Sequence, residues 1–413
     1  MLDIDVAYLG SENWDGYMTE RLRWLRENEP VRWSAKDDLF LVTKFEDVAF
    51  VSKHQELFTS EFGVRPSNPA KIGLIDEAEP RHTQLRNLIN RGFTPRMVRV
   101  LEAAFREIVK ESIDAVAARG ECDFVKEIAV PLPLKLIAEM IGIRREDYDR
   151  FHHWSDTMIA GDGTSDPAVL QRAGLAFVEY STYVRAIIED RRLHPREDLV
   201  SILTGAKDSG ILGRFDVKQM HDASDEHMAL ANDELIMMCV ILLVAGNETT
   251  RNGISGGMQL LIENPGERQK LIDDPSLIPM AVEEMVRMVS PVHAFSRTAT
   301  RDLELRGVPI RQGQRVLLLY PSANRDVDVF DQPDRFRVER NPTHLGFGVG
   351  THFCLGANLA RMEMRVAFAE LLRRIPDMHY ATGGPVLLPN ALVRSCVEMK
   401  VRFTPESRPA EAA

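Results

Sequence analysis

One cysteine stands in surroundings that packing alone does not require. In HLGFGVGTHFCLGANLARME, His344 to Glu363, Cys354 follows Gly348 and Gly350 and precedes Gly356 and a helical run. Glycines admit positive φ and close approach of backbone amides, as a loop wrapping a large anionic sulfur must. A helix N-terminus adds free amides and a favourable dipole, so the pattern predicts a stabilised thiolate. A second stretch, ELIMMCVILLVAGNETTRNGISGGMQLLIEN, is a long apolar helix interrupted by Ala245, Gly246, Glu248 and Thr249. A hydroxyl that competes for a backbone carbonyl beside small side chains opens a kink and a pocket, here with an acid and an alcohol. In AVEEMVRMVSP, Glu284 and Arg287 lie one helical turn apart, a pair that exposed helices form constantly. His82 and Arg86, four apart, face one way on another helix.

Taken together, in order and spacing, these stretches resemble the cytochrome P450 superfamily along essentially the whole chain. FGVGTHFCLG is similar to its haem-binding signature at Phe347, Gly350, Cys354 and Gly356. The resemblance implies haem b, with the Cys354 thiolate as proximal iron ligand favouring O–O cleavage. It implies that Ala245 and Gly246 flank the cofactor, that Thr249 bonds dioxygen on the iron, and that Glu248 relays protons from solvent. Arg335 in QPDRF resembles a second family arginine, implying a buried ionic cluster of Glu284, Arg287 and Arg335 that braces the cysteine loop. His82, Arg86, Arg297 and His352 match places where cations meet the two haem propionates. Substrate walls are implied at Met237, Ile241, Leu242, Ala245, Val292, His293, Ala294, Phe295, Ala391 and Leu392. Most are apolar, which implies a hydrophobic substrate. His293, the one polar handle among them, is explained as well by a neighbouring carbonyl.

These residues need a scaffold, and the rest of the chain supplies its pattern. Apolar residues at helical spacing recur in VRVLEAAFREIVKESIDAVAARG, LPLKLIAEMIGI and FVEYSTYVRAIIEDRR. After Pro291 short alternating pieces with RG and QG turns predict small sheets. The expectation is a mainly α protein with small β-sheets, the cytochrome P450 fold with a helix-rich region around haem and a smaller β region. Residues 1–405 are expected to form a single catalytic domain, with 406–413 a frayed tail. His221 and His227, spaced by six among acids in the 206–230 segment, are expected in a solvated loop, because a helix would put them on different faces.

Composition closes off other classes. The formal net charge of -11 over 413 residues argues against a general nucleic-acid binder. Four cysteines without a CxxC pair fit neither a disulfide framework nor a zinc module. The longest apolar run, IMMCVILLVA, is about half a bilayer span, and the start shows no secretion signal, so a cytoplasmic protein without membrane anchor is expected. The resemblance implies a monooxygenase that hydroxylates an apolar small molecule: a sterol, terpenoid, fatty acid or natural-product intermediate. Nothing in the chain resembles a flavin or iron–sulfur module, so electrons are expected from a separate ferredoxin and its NAD(P)H-dependent reductase. Arg96, Arg99, Arg106 and Arg361 are candidate docking cations. Two alternatives stand beside this: a hydrogen-peroxide-dependent peroxygenase, which Glu248 and Thr249 disfavour, and a non-enzymatic haem ligand carrier or sensor, which has no use for that pair.

Overall fold

The computed structural model describes residues 17–66, 73–93, 95–161, 166–196, 198–208, 232–388 and 390–406. The segment with His221 and His227, and the tail beyond residue 406, lie outside the described residues.

The axis of the molecule is the helix Asn232–Glu263, which carries apolar residues on most sides because other helices surround it. Pro131–Ile141, Pro167–Leu193, Ile278–Val289 and Ala357–Arg374 all pack against it. Its small residues set the interaxial distances. A side chain at Gly246 would meet Ile137 Cδ1 at 2.7 Å, one at Gly256 would meet Val289 Cγ1 at 2.7 Å, and one at Gly257 would meet Phe368 Cζ at 2.6 Å. Any larger residue there pushes a packed helix away. The helix after the cysteine, Ala357–Arg374, also lies along Pro95–Ala117, so its N-terminus is fixed by packing on two sides.

The β region is built on central strands buried on both faces. A five-stranded sheet runs in the order Val31–Ser34, Leu39–Val42, Arg315–Leu319, Ala294–Ala299, Phe58–Thr59. Leu39–Val42 pairs parallel with Arg315–Leu319, and that strand pairs antiparallel with Ala294–Ala299. Alternate residues serve different cores. Phe40 and Val42 join one apolar cluster, while Leu39 and Leu41 join another with Leu22 and Leu25 of the first helix. Among the described residues three smaller sheets complete the β structure.

The ionic brace forms with a different partner from the one the resemblance implied. Arg287 Nε donates to Glu284 Oε2 at 2.6 Å, and its Nη2 to Oε1 at 2.8 Å, with both side chains fully buried. Arg287 Nη1 reaches the carbonyls of Asn324 and Pro333. The third member is Arg340, whose Nε donates to Glu284 Oε1 at 2.9 Å; the Arg337 amide donates to the same oxygen at 3.2 Å. Arg335 is exposed; its side chain reaches Gln332, and its carbonyl accepts from Arg340 Nη2 at 3.1 Å. The reason is local: Phe336 turns into the core, so its neighbour Arg335 turns out, and the next turn brings Arg340 back. Replacing Arg340 with Met is expected to cost about 3 kcal/mol, as removal of one member of a buried pair does. Arg335→Met is expected within about 0.5 kcal/mol of wild type. Denaturant unfolding of the two variants side by side checks both.

Candidate active site

The loop before the Ala357–Arg374 helix holds its shape through two glycines. Gly348 and Gly350 adopt φ of 68° and 79°. A side chain at Gly350 would also stand 2.8 Å from the Ser52 carbonyl oxygen, so both conformation and space require glycine there. Gly356 differs from expectation: its φ is -84°, open to any residue. Its amide donates to the Cys354 sulfur, and no chain atom lies within 4 Å of where its side chain would stand. The Cys354 amide donates to the Phe347 carbonyl at 2.8 Å. Burial pushes the Cys354 thiol up, against the Gly356 amide, Arg86 and Arg361, which pull it down. The donors around the sulfur lower the cost of ionisation, and a bound cation would lower it further. Cys122 and Cys239 are buried with thiols pushed up to about 12 by desolvation, and Cys396 is buried and raised as well.

Four basic side chains gather beside this loop. The His82 and His352 rings lie 4.2 Å apart between centroids. Arg297 is buried, its Nη1 bonded to the Ser296 carbonyl at 2.8 Å, and Arg86 donates to the Phe353 carbonyl. Burial, then Arg297, His82 and Arg86, drive His352 down to about 2. Burial also lowers His82, against Glu79, whose Oε1 is 3.2 Å away; Arg297 falls through burial as well. The cluster repels itself, and two carboxylates of a bound group would relieve that repulsion. The residues fit a dianionic porphyrin.

On the long helix, Met237, Ile241, Ala245 and Thr249 follow at four-residue intervals and form one face. Ala245 is exposed although its helix runs through the core, and the other three are only partly covered. Thr249 Oγ1 donates to the Ala245 carbonyl at 2.7 Å, leaving its lone pairs directed outward from that bond. Glu248 is buried on another face. Its Oε1 accepts from Arg251 Nη2 at 2.7 Å and from Asn252 Nδ2 at 2.8 Å. Burial raises its pKa, against the pull of Arg251 and Asn252.

Residues 172–375 match the family described as Cytochrome P450. The steroid C26-monooxygenase of Mycolicibacterium smegmatis is 37% identical over 396 residues, 95% of this chain and 94% of that protein. This chain belongs to the cytochrome P450 family. The methyl-branched lipid omega-hydroxylase of Mycobacterium tuberculosis is 38% identical over 376 residues, 88% and 83% of the two chains. Among solved structures, the P450 CYP109E1 of Bacillus megaterium in complex with testosterone is 29% identical, covers 93% of this chain and 98% of its own, and superposes with a TM-score of 0.81. The protein is thus a haem-thiolate monooxygenase with the family's α+β fold, and haem b is its cofactor. The carrier or sensor alternative falls with that. Among the described residues no helix is long and apolar enough to cross a membrane.

Some residues assigned by resemblance face elsewhere in this P450. Leu242 is buried in the main core, off the Met237–Thr249 face. Gly246 turns its open side to Ile137. His293 is buried with Nδ1 3.2 Å from the Asn390 carbonyl, and burial holds it down to about 3. It lines a small cavity of about 50 Å³ with Arg26, Met288 and Arg325. Val292, Phe295 and Leu392 are partly covered, as lining residues are. Ala294 and Ala391 are buried, Ala294 in the core beneath the first helix. Arg361 is held by Glu283 in a two-pronged ion pair, and the exposed Arg106 pairs with Glu102 at 2.6 Å on its own helix. Sequence reasoning also missed what lies behind Glu248: Arg251 Nη1 meets Asp156 Oδ1 at 3.0 Å, and Asp156 meets His152 at 3.2 Å. The Glu248 and Arg251 spacing signals the first pair; only tertiary packing supplies Asp156.

Proposed function

We propose that Cys354 would hold the haem iron through its sulfur and that this P450 hydroxylates an unactivated C–H bond of a steroid or a methyl-branched lipid. The observation that carries the reading is the apolar face of Met237, Ile241 and Ala245, partly uncovered on a helix that runs through the core and ending at the Thr249 hydroxyl. Its relatives support the substrate class by what their names say they oxidise. The overall change is R–H + O2 + 2 electrons + 2 protons to R–OH + water. Bound haem supplies the redox centre at which oxygen is reduced and cleaved. The chain does the remainder. His82, Arg86, Arg297 and His352 hold the propionates, the apolar face orients substrate and excludes water, and Thr249 Oγ1 accepts and positions a hydrogen bond. Glu248, whose pKa burial raises, gives a proton and is refilled by water entering past Asp156 and His152, both half exposed, while Arg251 holds the two carboxylates in place.

The test is a Soret titration of the purified holoprotein with sterols, methyl-branched lipids, unbranched fatty acids and terpenes, followed by product analysis with a ferredoxin and its reductase. Steroids or branched lipids should displace the iron-bound water and give a hydroxylated product. Turnover confined to the unbranched acids or the terpenes would overturn the substrate class.

We infer further that electrons arrive from an acidic ferredoxin on the thiolate side. Arg99 is exposed on the helix Pro95–Ala117, which packs along the helix after the cysteine, and Phe353, next to the cysteine, is 39% exposed; a basic and an apolar side chain suit such a partner. The side chain of Arg96 lies outside the described residues. Arg99→Glu should slow reduction about tenfold at low salt, with the difference shrinking as salt rises. An unchanged rate and salt slope place the dock elsewhere.

A further inference from the structure

The carboxylate beside the brace glutamate has a task of its own. Glu284 points to Arg287 and Arg340, whereas its neighbour Glu283 points to the cysteine loop. Glu283 Oε1 accepts from Arg361 Nε at 2.7 Å and Oε2 from Arg361 Nη2 at 2.9 Å. His344 Nε2 lies 3.2 Å from the same Oε2, and the Gly346 amide donates to His344 Nδ1 at 3.0 Å. An accepting Nδ1 fixes the tautomer, so Nε2 carries the proton and donates to Glu283. The Arg361 guanidinium lies over the Phe347 ring, 4.5 Å from its centroid, and the His344 ring lies 5.7 Å from Phe347. Phe347 in turn gives its carbonyl to the Cys354 amide at 2.8 Å. The loop is pressed from below as well: a side chain at Gly346 would meet Val286 Cγ1 at 2.7 Å. Three elements thus converge on one phenylalanine: the helix Ile278–Val289, the helix Ala357–Arg374 and the loop between His344 and Cys354.

We propose that Glu283, Arg361 and His344 form a clamp that fixes Phe347 and sets the electrostatic surroundings of the Cys354 sulfur, making them positioning residues for the redox poise of the haem iron. The proposal rests on Cys354 as the residue that would hold the iron. Its physical content is a matched charge pair. The Arg361 cation favours negative charge on the sulfur, and the Glu283 anion cancels most of that field at longer range. The planar fork of arginine satisfies the carboxylate and the ring face together, which lysine does not do.

Removing one charge at a time gives opposite outcomes. Glu283→Gln leaves Arg361 uncompensated, favours the electron-richer ferrous state and raises the midpoint potential. Arg361→Met leaves Glu283 uncompensated and lowers it. Each shift is expected to be about tenfold in the one-electron equilibrium, about 59 mV, and the double variant should return towards wild type. The measurement is a redox titration of the holoproteins, with the reduced carbon monoxide spectrum recorded for each. A thiolate-type band in every variant shows that the ligand and fold persist. Shifts of the same sign in both single variants, or of less than twofold, overturn the clamp while leaving the ligand assignment standing. Absence of the band in wild type overturns the ligand assignment instead.

Discussion

Replacing Cys354 with serine should leave a protein that still takes up haem but no longer shows the thiolate-type carbon monoxide band and no longer hydroxylates. The sulfur and the basic side chains beside it do different work. The sulfur is presented by the Phe347 carbonyl, the Gly356 amide and the two positive-φ glycines. His82, Arg86, Arg297 and His352, the side chains proposed to hold the propionates, gather beside the same loop. An alkoxide or alcohol at position 354 retains the loop geometry but gives a harder ligand that donates less electron density to iron. Activity should fall by more than about 100-fold, past the range that loss of an outer-shell partner costs. Arg297→Met makes the complementary case. It removes one charge-assisted bond, about 1.5–3 kcal/mol, so haem should dissociate about 10–100 times more readily while the carbon monoxide band stays in place. Haem transfer to an acceptor apoprotein, read beside the reduced spectra, separates the two. If Cys354→Ser keeps the thiolate-type band, the sulfur of another cysteine holds the iron.

How far such roles are legible in the sequence depends on whether the chemistry is local. The cysteine loop was legible because its glycines, its cysteine and its helix lie within ten residues, and backbone conformation is written locally. The long helix was legible from its apolar length, and so was the face Met237, Ile241, Ala245 and Thr249, which needs only the helical repeat. Leu242 was misassigned because that repeat gives the relative faces and not which of them meets a neighbour; the main core claimed it. Arg335 and Arg340 are five residues apart in an irregular stretch, where no period says which turns inward. Packing of Phe336 decided it. Arg361 read as a free cation because its partner Glu283 lies 78 residues earlier, and Gly356 read as a conformational glycine when its amide and open side are what the loop uses.

Proton delivery gives the sharpest expectation for the oxygen side of the site. Glu248 is buried, and its pKa is raised by desolvation despite Arg251 and Asn252. A carboxyl raised in the fold holds its proton to higher pH than in the unfolded chain. Below its folded pKa it can donate, and above it the ionised form persists at a cost to stability that Arg251 partly offsets. The glutamine variant keeps the bond from Arg251 but has no acidic proton, so the coupled turnover rate should drop about 10²–10⁴-fold, the usual range for a positioned acid or base. The alkaline limb of its pH profile should flatten, and the solvent deuterium effect should grow as proton transfer becomes limiting. Asp156→Asn cuts the same route further out, where the group is half exposed and water can substitute, so about tenfold is expected there. Thr249→Ala should separate consumption from product. Its hydroxyl gives a hydrogen to the Ala245 carbonyl and so has lone pairs to hold a proton donor at one place. Without it, oxygen that has taken two electrons and two protons can leave as hydrogen peroxide before the bond is cleaved. NADH consumption should then continue within a few-fold of wild type while hydroxylated product falls at least tenfold and peroxide accumulates to balance the electrons. Loss of consumption and product together, with no peroxide, would place Thr249 in substrate binding or haem retention and remove it from the handling of protons.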